Sequence, residues 1–197
     1  MAPVTAEAHA PYIRKGIHLL ANILPLGLLA GEIGYRFFRA ALPVLFFVAL
    51  AVELLRSRSV GFRRWFHGLV GVWMKPEERR FRITGATWLL LSATLVAWTL
   101  PPDRAALAIF MASLADPVAA MVGMRWGRHP FLKKSLEGSL AFVVTGLAVA
   151  LWFPEPAGSV KIMAVLVASV AEALSLPPDD NLWVPLLAGL VLGGVHL

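Results

Sequence analysis

The stretch Leu114–Ser139 reads LADPVAAMVGMRWGRHPFLKKSLEGS. It begins inside an apolar run, crosses a short basic loop and enters the next apolar run. Asp116 stands about eight residues before its run ends, which at ~1.5 Å per residue sets a carboxylate on the order of 12 Å inside it. A charge at that depth costs several kcal/mol unless it is paired or hydrated, so it marks a functional position. Pro117 removes a helical hydrogen bond and predicts a kink or an opened backbone. Ala112, Asp116, Ala119, Ala120, Gly123 and Gly127 form a stripe of small residues, which lets a helix or a ligand approach closely. The loop then supplies Arg125, Arg128, Lys133 and Lys134, followed by Ser135, Glu137 and Gly138. An acid, a cluster of bases and an acid beside Gly are the parts of a metal–polyphosphate site. Carboxylates hold Mg²⁺, cations hold phosphate, and Gly lets N–H groups reach the oxygens. The plain alternative is a basic loop with a chance acid on each side.

The rest of the chain sets this stretch in a membrane. Of 197 residues, 58% are hydrophobic and 15% charged, and the mean hydropathy is +0.73. A soluble domain is nearer half apolar and a quarter charged. The expected fold is therefore all-α, one polytopic membrane helix bundle of about seven transmembrane helices over residues 1–197. The formal charge of +6 comes from bases lying between apolar runs. That pattern favours lipid headgroups and phosphates as partners, not nucleic acid. There is no Cys, which excludes disulfides, Cys-ligated zinc and a thiol nucleophile. The N-terminal MAPVTAEAHAPYIRKG has no apolar core before its basic pair and does not read as a cleavable signal peptide.

The first apolar run is about Gly16 to Gly31. Lys15, His18 and Asn22 share one helical face, which either lines a site or bonds a neighbouring helix. Pro25 predicts a kink. Gly31 to Arg39 reads as a turn, and the second run as about Ala40 to Leu55. Glu53 and Arg56 near its end read as a snorkelling i, i+3 pair at headgroup level. Ser57 to Ile83 mixes bases with Trp65, Phe66, Leu69, Val70 and Trp73, as an amphipathic helix in the interface does. The third run, about Thr84 to Leu100, opens with Thr84 and Thr87 on one face. The fourth, about Arg104 to Met124, carries Asp116. The fifth starts at Ser139, and the sixth, about Val160 to Leu174, has Glu172 in its last turn. An acid there opposes the helix dipole and calls for a partner. LPPDDN follows, then a short seventh run from Leu182 to His196.

If all seven runs cross, fourteen Lys and Arg fall on one side and four on the other. The rich side is cytoplasmic, and the N-terminus with it. His18, Glu53, Thr87, Asp116, Glu137, Glu172, Asp180 and Asn181 gather on that same side, at one site near headgroup depth. The location expected is a bacterial cytoplasmic membrane.

The ADPVAAMVGMRWG…KKSLEGS stretch resembles the polyprenol kinase family, which includes dolichol kinase, phytol kinase and the CTP-dependent diacylglycerol kinase of fungi. RKGIH at 14–18, ELLR at 53–56 running on to TGAT at 84–87, and AEALSLPPDDNLWVPL at 171–186 match in order. The resemblance implies a lipid kinase moving the γ-phosphoryl of CTP to a lipid alcohol with a divalent metal. It implies a metal-binding or catalytic Asp116, and a nucleotide site shaped by Lys134, Glu137 and Gly138.

Phosphoryl transfer needs positioning and charge neutralisation more than covalent chemistry. In this reading Asp116 and Glu137 hold Mg²⁺, while Lys133, Lys134, Arg125 and Arg128 neutralise phosphate. Ser135, Thr87 and Asn181 complete the nucleotide site, with Glu172 among the catalytic acids, and Asp116 or His18 accepts the alcohol proton. Cytidylyl transfer to a lipid phosphate would need the same membrane position and metal. A small transporter would instead spread its acids along a path across the bilayer.

Overall fold

In a computed structural model, described for residues 15–16, 18–71, 74, 76–79 and 83–194, the chain is helical almost throughout. The segment up to Arg14, and Lys75, Arg80 and Arg82 of the amphipathic connection, lie outside the described residues. The helices are α1 (Ile23–Leu28), α2 (Gly31–Arg58), α3 (Val60–Val70), α4 (Pro76–Arg79), α5 (Gly85–Thr99), α6 (Pro102–Phe110), α7 (Asp116–Trp126), α8 (Leu136–Ala150), α9 (Gly158–Leu174) and α10 (Asp180–Gly193). A π-helical segment, Met111–Ala115, joins α6 and α7 into one rod. Pro130↔Ser135 and Phe131↔Lys134 pair as a short antiparallel ladder, β1 (Pro130–Phe131) with β2 (Lys134–Ser135).

The Pro102–Trp126 rod is the centre of the bundle. It is apolar on all sides, and 72% of its apolar window is buried, against 11% for α2. Ala105, Ala106, Leu107, Ala108 and Ile109 lie at 1% exposure or less, because α1, α5, α8 and α10 all pack on this rod or its π-helical segment. A helix that is apolar all round belongs in a core or in lipid. α2 shows the lipid case, with Ile33, Phe37, Val44, Phe47 and Val48 exposed. These two helices are long and apolar enough to cross a membrane. α5 and α8, at 15 residues, are shorter. At ~1.5 Å per residue each extends roughly 22 Å, less than the ~30 Å hydrocarbon core.

Two expectations are corrected. Gly31–Arg39 is not a turn but the opening of α2; the chain turns at Leu29–Ala30, and Gly31 takes φ 72°. Nothing in residues 32–39 breaks a helix, and Arg36 pairs with Glu32 one turn earlier at 2.7 Å. Glu53 and Arg56 do not snorkel. Their side chains are 8% and 4% exposed and bond each other in the interior. Glu53 Oε1 also accepts from Thr84 N at 2.9 Å, while Arg56 Nη1 donates to the Glu78 carbonyl at 2.6 Å. The connection folds back over them: α3, capped by the Ser59 hydroxyl, leads to α4, and Glu78 Oε1 accepts from Gly85 N at 2.7 Å.

The break expected at Pro117 takes the form of the π-helical segment, in which Asp116 N donates to Met111 O. Proline cannot donate to the carbonyl four residues back, and its ring crowds that carbonyl. A π-helical insertion is a common way for a helix to absorb such a fault.

Candidate active site

The described chain opens on Lys15, whose Nζ donates to Asp116 Oδ2 at 2.6 Å. Seven residues further along the chain, Asn22 bonds Ser113. The polar face of the first helix therefore does both things open to it: Lys15 enters the site and Asn22 ties the helices together. Asp116 is 3% exposed, as its place inside the rod demands.

A second acid–base group faces the first. Lys134 Nζ lies 2.8 Å from Glu172 Oε1 and 3.4 Å from Asp180 Oδ2. Local backbone geometry brings them together. Ser175 ends α9 in the left-handed region, at φ 44°. Lys133 N donates to Ala173 O at 3.1 Å, which docks the loop on the end of α9. Asp179 starts α10 by accepting from Asn181 N at 3.1 Å, so Asp180 returns beside Glu172. Burial alone would lower the Lys134 ammonium. The carboxylates of Asp116, Asp180 and Glu172 outweigh that and hold it above the ordinary lysine range.

The stripe of small residues seats the loop against the rod. A Cβ on Gly123 would come 2.9 Å from Ser135 Oγ, and one on Gly138 would come 3.0 Å from the Ala119 carbonyl. Ser135 caps α8 by accepting from Gly138 N at 3.2 Å. Between the two acid–base groups opens a cavity of about 740 Å³, walled by Lys15, Gly123, Ser135, Gly138, Glu172 and Asp180 among others.

Two buried carboxylate oxygens, Asp116 Oδ1 and Glu172 Oε2, have no hydrogen-bond partner among the described residues; Glu172 lines the cavity, and Asp116 is tied to it through Lys15. A buried acceptor left in this state is costly. Among the described residues no three His, Cys, Asp or Glu converge as a metal cage. Mg²⁺ needs no such cage, since it keeps waters and substrate phosphates in its shell and takes one or two carboxylates. The orphaned oxygens are donors of that kind, so the residues fit a divalent cation held jointly with a polyphosphate.

The remaining sequence candidates fall in three places. Lys133 lines the cavity, whereas Arg125 and Arg128 are exposed beside it and Arg125 lies over Trp126. Glu137 is turned away from the cavity. Its carboxylate accepts from Arg128 N at 3.1 Å and His129 N at 3.3 Å, and His129 Nδ1 lies 2.7 Å away. Its own backbone N–H, His129 and these loop amides push its carboxyl down to about 2. Thr87 and Asn181 belong to the buried network behind the cavity. Thr87 Oγ1 is 3.4 Å from Glu53 Oε1, and Asn181 Nδ2 donates to Asp179 Oδ1 at 2.6 Å. His18 is not among the cavity's lining residues. Sequence reasoning gave Lys15 no role in the chemistry and did not single out Glu78. The helical spacing of Lys15 with His18 and Asn22 was the available signal; Glu78 carried none.

Three curated proteins are similar to this chain. A CTP-dependent diacylglycerol kinase 1 of Eremothecium gossypii is 26% identical over 207 aligned residues, covering 91% of this chain and 65% of the relative. A phytol kinase of Synechocystis is 36% identical over 101 residues, 46% of this chain and 43% of the relative. These two kinases support a polyprenol/lipid kinase family assignment for the chain. An uncharacterized protein of Rickettsia prowazekii is 23% identical over 188 residues, 88% of each chain. The chain thus spans less than two thirds of the length of the two kinases it matches. No family profile and no solved structure matches it. The family's lipid substrates agree with the apolar helices, which make membrane association the natural setting for the cavity.

Proposed function

We propose that the chain is a CTP-dependent lipid-alcohol kinase. It transfers the γ-phosphoryl group to the hydroxyl of a polyprenol, a phytol-like alcohol or a diacylglycerol at the cytoplasmic membrane face. In this reading the seven apolar runs are seven spans, with the N-terminus inside. The observation that carries it is the cavity beside two acid–base groups, Lys15–Asp116 and Lys134–Glu172–Asp180, each holding one buried carboxylate with an orphaned oxygen. CTP as donor is taken from the CTP-dependent diacylglycerol kinase named above.

The chemistry follows from the residues. Lys15, Lys133 and Lys134 line the cavity and offer cationic charge to a polyphosphate. Asp116 Oδ1 would hold the Mg²⁺, whose charge offsets that on the phosphate oxygens. Glu172 takes the second ligand place assigned from sequence to Glu137, because the Glu137 oxygens are already engaged by the loop. Lys15 and Lys134 each hold one oxygen of a carboxylate and leave the other available to a ligand. Fixed charges placed in this way stabilise a phosphoryl-transfer transition state without reorganising during the reaction.

Purified protein given CTP labelled at the γ-phosphate, with a panel of lipid alcohols, tests the reading. Label should pass to the lipid and CDP should accumulate. Release of pyrophosphate with a cytidylylated lipid phosphate would instead assign a cytidylyltransferase.

A further inference from the structure

Asp180 is the outer member of the second acid–base group. Its Oδ2 lies 3.4 Å from Lys134 Nζ, against 2.8 Å for Glu172 Oε1. A contact of that length is lost on any further lengthening, so it depends on where the start of α10 is held. That start is a tight turn. Asn181 N donates to Asp179 Oδ1 at 3.1 Å, and Asn181 Nδ2 donates to the same oxygen at 2.6 Å. Asp180 lies between the two residues in sequence and lines the cavity with Asp179. Asn181 is 4% exposed and is not among the cavity's lining residues, so it acts on the site through its neighbour.

What holds Asn181 is α5. Ser92 Oγ donates to the Asn181 carbonyl at 2.9 Å. Two turns earlier on the same face, Gly85 leaves room for the side-chain amide. A Cβ on Gly85 would stand 2.5 Å from Asn181 Nδ2 and 3.4 Å from Asp179 Oδ1. Gly85 cannot easily retreat, because buried carboxylates anchor the start of its helix. Glu53 Oε1 accepts from Thr84 N at 2.9 Å, and Glu78 Oε1 accepts from Gly85 N at 2.7 Å. Amides in a first turn have no partner within the helix, so these bonds satisfy groups that would otherwise be orphaned. The connection that folds over Glu53 and Arg56 thus fixes the seat on which Asn181 rests.

We propose that Asn181 is a positioning residue: seated on Gly85 and Ser92, it ties down Asp179 and so holds Asp180 on Lys134. This rests on the kinase reading of the cavity and adds the support behind one of its cations. Asp179 already caps α10 through Asn181 N, so the side-chain amide is not needed for the cap. What the amide adds is a second tie on the Asp179 oxygen. Lys134 then meets a phosphate with its ammonium fixed by two carboxylates, Glu172 and Asp180, instead of one.

Two measurements on the full chain in lipid nanodiscs test this. The first is carbodiimide coupling, which joins an amine to a carboxylate already in contact with it and needs no turnover. Lys134 and Asp180 keep 28% and 14% of their side chains exposed, so the reagent reaches both. Mass spectrometry of the wild type should show a Lys134–Asp180 amide. Asn181→Ala should cut its yield at least about tenfold on folded protein, because coupling follows the placement of the reacting atoms. Gly85→Ala should do the same by displacing the amide, yet add nothing in an Asn181→Ala background, where its methyl has room. Ser92→Ala should lower the yield less, and it carries the test with Asn181→Ala where Gly85→Ala does not fold. Equal yields in wild type and Asn181→Ala, or no such amide in the wild type, would overturn the proposal.

The second is a kinetic double-mutant cycle. Asn181→Ala should lower kcat about tenfold or more, since a 1 Å misplacement of a charged group can cost ~10²-fold. That effect should vanish in an Asp180→Asn background, while the fall in melting temperature persists there. A lower melting temperature with kcat unchanged, or kcat losses that add, would leave Asn181 a structural residue and overturn the proposal. Coupling yields as expected with no phosphoryl transfer to any alcohol would keep the positioning role and discard the kinase reading.

Discussion

Asn22 donates its side-chain amide to the Ser113 carbonyl at 3.2 Å, and its Oδ1 accepts from Ser113 Oγ at 2.9 Å. Ser113 stands four residues before Pro117, so its carbonyl is the one that Pro117 leaves without a helical donor. The residue that opens the backbone beside Asp116 and the residue that satisfies the opened backbone therefore sit on different helices. That pairing fixes the first helix on the rod, and with it Lys15 on Asp116.

Asn22→Leu should lower stability by about 1–3 kcal/mol, the usual result of stranding buried polar groups. Adding Pro117→Ala restores a donor for the Ser113 carbonyl. The double variant should recover part of the loss, as read by thermal melting in detergent. Additive losses would mean that the Asn22 bond and the proline fault are unrelated.

Gly138 and Gly123 should respond unequally to a methyl group. The new Cβ on Gly138 meets a backbone carbonyl of α7 at 3.0 Å, which moves only if the rod moves. The Cβ on Gly123 meets the Ser135 hydroxyl at 2.9 Å, and turning that hydroxyl aside gives up only the α8 cap, worth about 1 kcal/mol. Gly138→Ala should cost about 1–3 kcal/mol as an overpacking change, and Gly123→Ala clearly less. Equal melting temperatures for the two variants would refute this packing.

Glu137 should act on the loop and not on the metal. Its folded carboxyl is depressed to about 2 from an ordinary 4.5, so its contribution to stability is present above the unfolded value. That contribution fades as pH falls from about 4.5 toward 2. Glu137→Gln should therefore be less stable than wild type at pH 7, with the gap closing on acidification across that window. Its Mg²⁺ dependence of turnover should match wild type. A raised Mg²⁺ requirement would return Glu137 to the metal site.

The proposed topology has a direct test. Reporter fusions after Ser57, Arg128 and Asp179 should read cytoplasmic, and one at Pro156 external. An external signal at Arg128 would separate Lys134 from cellular nucleotide.

The chemistry-bearing stretch was legible because its signals are local. A carboxylate deep in an apolar run, a proline after it and small residues at helical spacing all declare themselves within one helix. What stayed hidden was pairing between helices. The Lys15–His18–Asn22 spacing reveals a polar face but not that it meets residues 113–116 of another helix. Glu137 beside Gly138 resembles a ligand in sequence, yet as the second residue of α8 its carboxylate reaches loop amides eight and nine residues earlier. Glu53 and Arg56 looked like a surface pair because Glu78, which covers them, lies in a connection of low hydropathy. The turn misplaced at Gly31–Arg39 came from reading charges as loop, when Glu32 and Arg36 are an i, i+4 pair on a helix facing outward.

The account stands most directly on Asp116. Asp116→Asn keeps the side chain's shape and hydrogen-bonding capacity but removes the charge that would hold a divalent cation. The measurement is the rate of γ-phosphoryl transfer from CTP to a lipid alcohol at limiting Mg²⁺, on protein whose melting curve shows it folded. The expected result is a fall of ~10²-fold or more, as for loss of a group that stabilises developing charge. Turnover near the wild-type rate would contradict the account and leave Asp116 as a polar residue that only anchors Lys15.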